Sequence, residues 1–333
     1  MRLVEASNLD GIDSYRLVER AVPTPGPGEI LVRVVTCSVG YVDALVALGR
    51  YQVKPPLPHT PGAEVAGVIA AVGEGVTSLR PGQRVMAQVR GGFAEQVVAP
   101  EAAATPIPDL MSFEQAAVLR INYLTALHGL ADRGRLAPGE RLLVMGAAGG
   151  VGMAAVQIGA LMGAKVIACA STAAKRDFAV LHGASVALDA DSTEVGHRAW
   201  RDRLKTLCDG GGPDVVFDPV CGPLFEAAFR SAAWNGRHLV VGFVGGPIPA
   251  LPVNLTLMKG AGLIGVDVRQ FQLFEPAQAS AHVGTLLEWV AEGRLTPPVG
   301  RAFAFEDHRA ALEFAMEGRG LGKTVLNVAS QEC

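Results

Sequence analysis

The stretch "LLVMGAAGGVGMAAVQIGALMGAKVIACASTAAKR", residues 142–176, decides the fold of this 333-residue chain. An apolar run, LLVM, breaks into glycines, resumes as a helix-length series of small and apolar residues, and ends in a second apolar run, KVIACA. Strand, glycine turn, helix and strand within about thirty residues make a βαβ unit. Glycine permits the tight turn and lets backbone amides approach a ligand, and the helix opening there adds the positive end of its dipole. Gly146, Ala148, Gly149, Gly150, Val151 and Gly152 therefore read as a cradle for a pyrophosphate. The plain alternative is a strand-to-helix turn that binds nothing. Gly152, with Ala154 and Ala155 behind it, also leaves room for the helix to pack closely on the strands.

Working outward from this unit, the same rhythm repeats. RLLVMG, KVIACA, SVALDA, DVVFDPV, RHLVVGF and GLIGVDV alternate with helical segments such as AAKRDFAVLHG and PLFEAAFRSAAW. Continuous apolar strands separated by helices imply a parallel sheet covered on both faces. Six such strands complete a doubly wound dinucleotide fold, and in that context the glycine cradle implies a dinucleotide.

The end of the second strand indicates which one. A carboxylate there accepts ribose hydroxyls and repels a 2′-phosphate. This chain offers Ser171, Lys175 and Arg176 instead. Serine donates a hydrogen bond and the two cations supply charge, so the reading favours NADPH. The same cations also fit a solvated helix face.

Residues 1 to about 110 differ. Short alternating runs, EILVRVV, AEVAGVIAAV, RVMAQV and AEQVVA, are divided by the turn clusters PTPGPG, VGEG and RPGQ. That pattern predicts a β domain with a barrel-like sheet. From Ser112, a candidate cap, a helix is expected through SFEQAAVLRINYLTALHGLADRG. A further helix, HVGTLLEWVAEG, follows residue 270, and the tail ending KTVLNV is expected to return to the first domain.

Half the residues are hydrophobic, 18% are charged, and the net charge is −3, which gives no electrostatic case for nucleic acid or an anionic membrane. No apolar run reaches the about 18 residues of a membrane span, and the first residues show no secretory leader, so the expectation is a cytoplasmic protein. Five scattered cysteines and seven scattered histidines show neither CxxC nor HxxxH spacing, so no disulfide framework and no metal site is expected.

Taken together, PTPGPGEILVRV (23–34), VDALVALGRY (42–51), LPHTPGAEVAGVIAAVGEGV (57–76), NYLTALHGL (122–130), GAAGGVG (146–152), DPVCG (218–222) and GKTVL (322–326) resemble the medium-chain dehydrogenase/reductase superfamily. Within it, the chain is similar to the zinc-independent quinone oxidoreductases related to zeta-crystallin. The resemblance implies an α/β protein with a GroES-like β-rich catalytic domain, residues 1–120 and 270–333, and a Rossmann domain, residues 121–269. It also implies a homodimer joined edge to edge through GLIGVDV, an otherwise open strand. Zinc alcohol dehydrogenases carry a cysteine where this chain has Gly40 and a histidine where it has Ala63, beside Glu64. Quinones and conjugated carbonyls spread developing charge, so hydrogen-bond donors suffice where a plain ketone needs a Lewis acid.

The resemblance places Tyr51 at the substrate, with Tyr41 and Asp43 as further catalytic candidates. A tyrosine packed with its hydroxyl on water and an aspartate acting as a local cap are equally open. Asn122 and Thr125 are expected at the nicotinamide, with Gly242, Phe243 and Val244 after the fifth strand. Arg269 fits either the cofactor phosphates or a surface ion pair, and Lys323 either the cofactor or the flank of the closing strand. Gly40, Leu45 and Ala190 depart from common asparagine and tyrosine residues of the family. The leading expectation is hydride transfer from NADPH to a quinone. The alternative is reduction of an α,β-unsaturated carbonyl by an alkenal, enone or enoyl reductase, and a third class is a nucleotide-binding protein without catalysis.

Overall fold

A computed structural model describes residues 1–51 and 53–329. Two units emerge from the packing: Met1–Ile121 with the segment from Leu287 onward, and Asn122–Leu286. The second boundary lies later than the 270 expected from sequence. The reason is local to the second unit: Phe271 stacks on His128 at 3.8 Å, while Gln278 and His282 bond Asp132 at 2.9 Å each.

The second unit is a six-stranded, wholly parallel sheet. Its strands in spatial order are Val186–Asp189, Lys165–Ala170, Arg141–Met145, Val215–Asp218, Arg237–Val240 and Gly262–Gly265. In chain order that is 3-2-1-4-5-6, the doubly wound arrangement whose ligand crevice lies outside the carboxyl ends of the strands. The apolar strands are buried because helices cover them: Leu142, Leu143, Val144, Val166 and Phe217 have almost no exposed surface. Each such side chain contributes about 1.5–3 kcal/mol of apolar burial. Trp200 joins them and directs its indole N–H to the Asp189 carbonyl at 2.8 Å, so its one polar atom is satisfied.

The first unit is built around one long strand, Glu29–Val39. Glu64–Val72 pairs along one edge of it. The other edge is shared, since residues 29–33 pair with Gln96–Pro100 and residues 36–39 with Lys323–Asn327. Arg84–Gln88, Ala104–Pro106 and Val299–Ala304 extend the sheet to seven strands, and the inward alternation seen in the sequence forms its core. The C-terminal segment therefore does return to the first unit.

Ser112 caps the helix Phe113–Leu127. Its hydroxyl accepts from the Gln115 amide at 3.1 Å, and the Gln115 side chain accepts from the Ser112 amide at 3.2 Å. The helical pattern expected to run on through Gly134 is wound as a π-helix over His128–Arg133. No helix among the described residues is long and apolar enough to cross a membrane.

Candidate active site

The glycine cradle joins the first strand of the parallel sheet to the helix Gly150–Leu161. Gly146 turns the chain at φ +60°, a left-handed conformation that a β-carbon disfavours. Gly152 serves a different need: a β-carbon there would lie 2.2 Å from the Gly146 carbonyl oxygen, so only glycine lets the helix start this close. The Ala147 amide donates to the Cys169 carbonyl at 3.1 Å, which ties the cradle to the end of the second strand.

Helix N-termini leave N–H groups that need partners. Elsewhere in this chain Ser112, Thr172 and Asp267 supply them from side chains. Gly149 caps the cradle helix with no side chain at all, so the amides of Gly150, Val151 and Gly152 point outward without a side-chain cap. An uncapped, glycine-lined helix start fits a pyrophosphate, whose oxygens are the acceptors that this terminus lacks.

At the end of the second strand the structure brings the sequence candidates together. Thr172 caps the helix Ala173–Leu181, which aims Lys175 back at Ser171 with 3.5 Å between Nζ and Oγ. Arg176 folds over the same strand end, and its guanidinium donates to the Ala170 carbonyl at 3.2 Å. Partial burial pulls the Lys175 ammonium below its ordinary range. Serine, lysine and arginine therefore meet at the end of one strand.

The turn after the fourth strand is held from beneath. Asp218 is buried, and its Oδ1 accepts from the amides of Val220 and Cys221 at 2.9 and 2.8 Å, while Oδ2 meets His238 Nε2 at 3.1 Å. The loop after the fifth strand rests on this turn through the Gly245 amide and the Val220 carbonyl, 2.8 Å apart. On that loop Phe243 and Val244 are exposed and Gly242 is half-buried. Asn122 and Thr125 are buried one turn apart on the Phe113–Leu127 helix, between which Tyr123 donates to Gln157 of the cradle helix at 2.6 Å. Arg269 is exposed and paired at 3.4 Å with Asp267, the cap of its own helix.

In the first unit, Gly40 precedes the short helix Tyr41–Ala47. Both oxygens of Asp43 are committed to backbone amides, Gly40 at 2.7 Å and Gly62 at 3.1 Å, so its role here is to cap and tether. Tyr41 and Tyr51 are half-buried, and neither hydroxyl makes a hydrogen bond among the described residues. Sequence reasoning passed over Glu64 except as a neighbour of Ala63. It is buried, and its Oε1 accepts from the Ile121 amide at 3.0 Å. Burial pushes its carboxyl up to about 7, with Lys323, Arg120 and the Ile121 amide opposing.

That shift has a measurable consequence. The folded chain keeps the Glu64 proton up to about pH 7, while the unfolded chain releases it near its ordinary value of 4.5. Stability should therefore fall as pH rises from 4.5 to 7 and level off above, by about 3 kcal/mol in all. Glu64→Gln is expected to remove this slope from denaturant unfolding curves. Parallel pH profiles for wild type and variant would show that Glu64 is not shifted.

Cys37, Cys169, Cys208 and Cys221 are buried free thiols, and Cys333 lies outside the described residues. No group of three or more His, Cys, Asp or Glu side chains is placed to hold a metal ion among the described residues. Gly40 and Ala63, where zinc dehydrogenases carry ligands, have no donor atom to offer.

Comparison with known proteins agrees with this layout. Residues 26–109 match the alcohol dehydrogenase GroES-like domain, and residues 150–282 match the family described as zinc-binding dehydrogenase. A quinone oxidoreductase-like protein 2 homolog of Nematostella vectensis is 35% identical over 306 residues, 91% of this chain and 82% of that one. The quinone oxidoreductase of Rattus norvegicus is 30% identical, covering 98% of this chain and 97% of its own. A mycobacterial protein solved in complex with NADPH superposes with a TM-score of 0.91 at 28% identity, covering 98% of this chain and all of that one. The chain belongs to the medium-chain dehydrogenase/reductase superfamily, an oxidoreductase of its quinone oxidoreductase-like branch.

Proposed function

We propose that the protein is an NADPH-dependent quinone oxidoreductase that works without a metal. The observation that carries the reading is the nucleotide end of the parallel sheet. An uncapped helix start lies beside a strand end where Ser171 and Lys175 stand 3.5 Å apart and no carboxylate intervenes. Bound there, NADPH supplies the hydride. The amides of Gly150 to Gly152 hold its pyrophosphate, and Ser171, Lys175 and Arg176 hold the 2′-phosphate. Asn122, Thr125 and the Gly242–Val244 loop orient the nicotinamide half.

The acceptor side rests on the first unit. With no donor atoms at Gly40 and Ala63, stabilisation of the reduced oxygen falls to hydrogen-bond donors, which suits a conjugated acceptor. Tyr51 and Tyr41 present hydroxyls still open to a partner, and Asp43 fixes the loop that carries Tyr41. A homodimer fits the same reading, because the edge strand Gly262–Gly265 pairs only with Arg237–Val240 among the described residues and leaves its outer edge open.

The decisive experiment follows nicotinamide absorbance with NADPH or NADH against quinones, alkenals and enoyl thioesters. Turnover of quinones with NADPH preferred is expected, whereas turnover of the carbon–carbon double bonds alone assigns the enone reductase instead. Lys175→Ala is expected to raise the KM for NADPH about tenfold or more, the cost of one charge-assisted hydrogen bond, with little effect on NADH. Equal effects on both coenzymes would remove Lys175 from phosphate recognition.

A further inference from the structure

The last strand places a lysine where the first unit has no side chain. Thr324 lies opposite Val39 in the sheet, which sets Lys323 beside Gly40. A β-carbon built on Gly40 would stand 3.0 Å from the Lys323 Nζ and 3.1 Å from the Asp43 Oδ2. The lysine is half-buried, and among the described residues its ammonium donates no hydrogen bond. Asp43 is already occupied by two amides. Glu64 is buried behind, within reach of the ammonium's field, but bonded to the Ile121 amide and, at 3.4 Å, to the Ser38 hydroxyl.

An ammonium has three donors, no acceptor and a strong demand for hydration. Here it is partly removed from water, its two carboxylate neighbours are engaged elsewhere, and the missing side chain at residue 40 is what lets the ammonium lie this close to the backbone there. The group that completes such a site is an oxygen acquiring negative charge.

We propose that Lys323 is a catalytic residue for the acceptor: its ammonium binds the carbonyl oxygen of the conjugated substrate over Gly40 and gives that oxygen its proton. The inference rests on the reductase reading above. As charge builds on the oxygen, a cation already in place stabilises it without reorganisation. One N–H bond of the ammonium breaks and one O–H bond forms, and the neutral amine takes a replacement proton from solvent water. The hydride accounts for both electrons, so the lysine ends unchanged. This role differs from the cofactor contact that the sequence offers for Lys323.

The test uses the full-length protein and p-nitrophenol, whose phenolate absorbs in the visible and mimics the charged oxygen. Wild type is expected to lower the apparent pKa of bound p-nitrophenol by about one unit, a tenfold preference for the phenolate. Lys323→Met should abolish the shift, Lys323→Arg should keep most of it, and Gly40→Ala should lose it by displacing the ammonium while leaving the lysine in the chain. In Lys323→Met, kcat/KM for a quinone should fall about 100-fold, with the Kd for NADPH within about threefold of wild type by fluorescence titration. An unshifted probe in wild type, or an equal shift in Lys323→Met, overturns the proposal. So does a Kd for NADPH at least tenfold weaker with the probe shift intact, which would make Lys323 a cofactor contact. A wild type that reduces quinones with an unshifted probe fails this proposal alone. A lysine-dependent shift in a protein that reduces none of the acceptors overturns the reductase reading and, with it, the catalytic role.

Discussion

Gly152→Ala is expected to abolish dinucleotide binding, with NADPH affinity falling about 100-fold or more, the loss of roughly 3 kcal/mol of amide–phosphate contact. The new methyl would begin 2.2 Å from the Gly146 carbonyl oxygen and 3.1 Å from the Ala147 Cα, so the loop or the first turn of the helix must move. Neither neighbour is a flexible side chain that can swing aside. Movement there misdirects all the outward amides together. Gly149→Ala provides the contrast, since its β-carbon would touch only the Gly146 oxygen, at an ordinary 3.5 Å. That variant should melt close to wild type. Fluorescence titration with NADPH and a melting curve for each variant decide the matter, and a Gly152→Ala protein that binds NADPH normally would show that the cradle does not hold the pyrophosphate.

The second large effect lies beneath the neighbouring turn. Asp218→Ala should cost about 3–5 kcal/mol, because it leaves two amides and an imidazole without their shared acceptor in the protein interior. Cys221 sits at φ 43°, a conformation that costs a cysteine energy and that the aspartate's two hydrogen bonds hold in place. Asp218→Asn keeps one acceptor for those amides and should cost less than half as much. Denaturant unfolding measures both. The same variants should weaken NADPH binding, since Val220 on this turn packs against Gly146, where a β-carbon would meet its methyl at 2.8 Å. A loss of stability below about 1 kcal/mol in Asp218→Ala would mean that solvent reaches the turn and satisfies those groups.

Much of this architecture is written locally and could be read from the chain. The six parallel strands follow from apolar runs spaced by helices, and the cradle follows from its glycines. The Ser112 cap follows from a serine just ahead of an acidic first turn. At Ser171, Lys175 and Arg176 the sequence favours a phosphate contact over a solvated face, but only the capped helix brings serine and lysine to 3.5 Å. Groups that meet across long separations left no local signal. Asp218 and His238 face each other because their strands are neighbours, and Asp132 gathers His128 and Gln278 with His282 from 150 residues away. Lys323 reads as a cofactor contact or as the flank of a strand until the pairing of Thr324 with Val39 sets it against Gly40. The π-helical turn after Leu127 has the same residues a regular helix would use, so periodicity could not announce it.

The shared edge of Glu29–Val39 also dictates an order of assembly during synthesis. Asn122–Leu286 is one uninterrupted piece of chain and can close as soon as it leaves the ribosome. Residues 36–39 must wait for Lys323–Asn327, made almost 290 residues later, with an unpaired backbone edge exposed meanwhile. Lys323 itself arrives with that final strand. If Asn122–Leu286 holds the coenzyme and Lys323 serves the acceptor, as proposed, a chain truncated before the last strand would bind coenzyme without turning over.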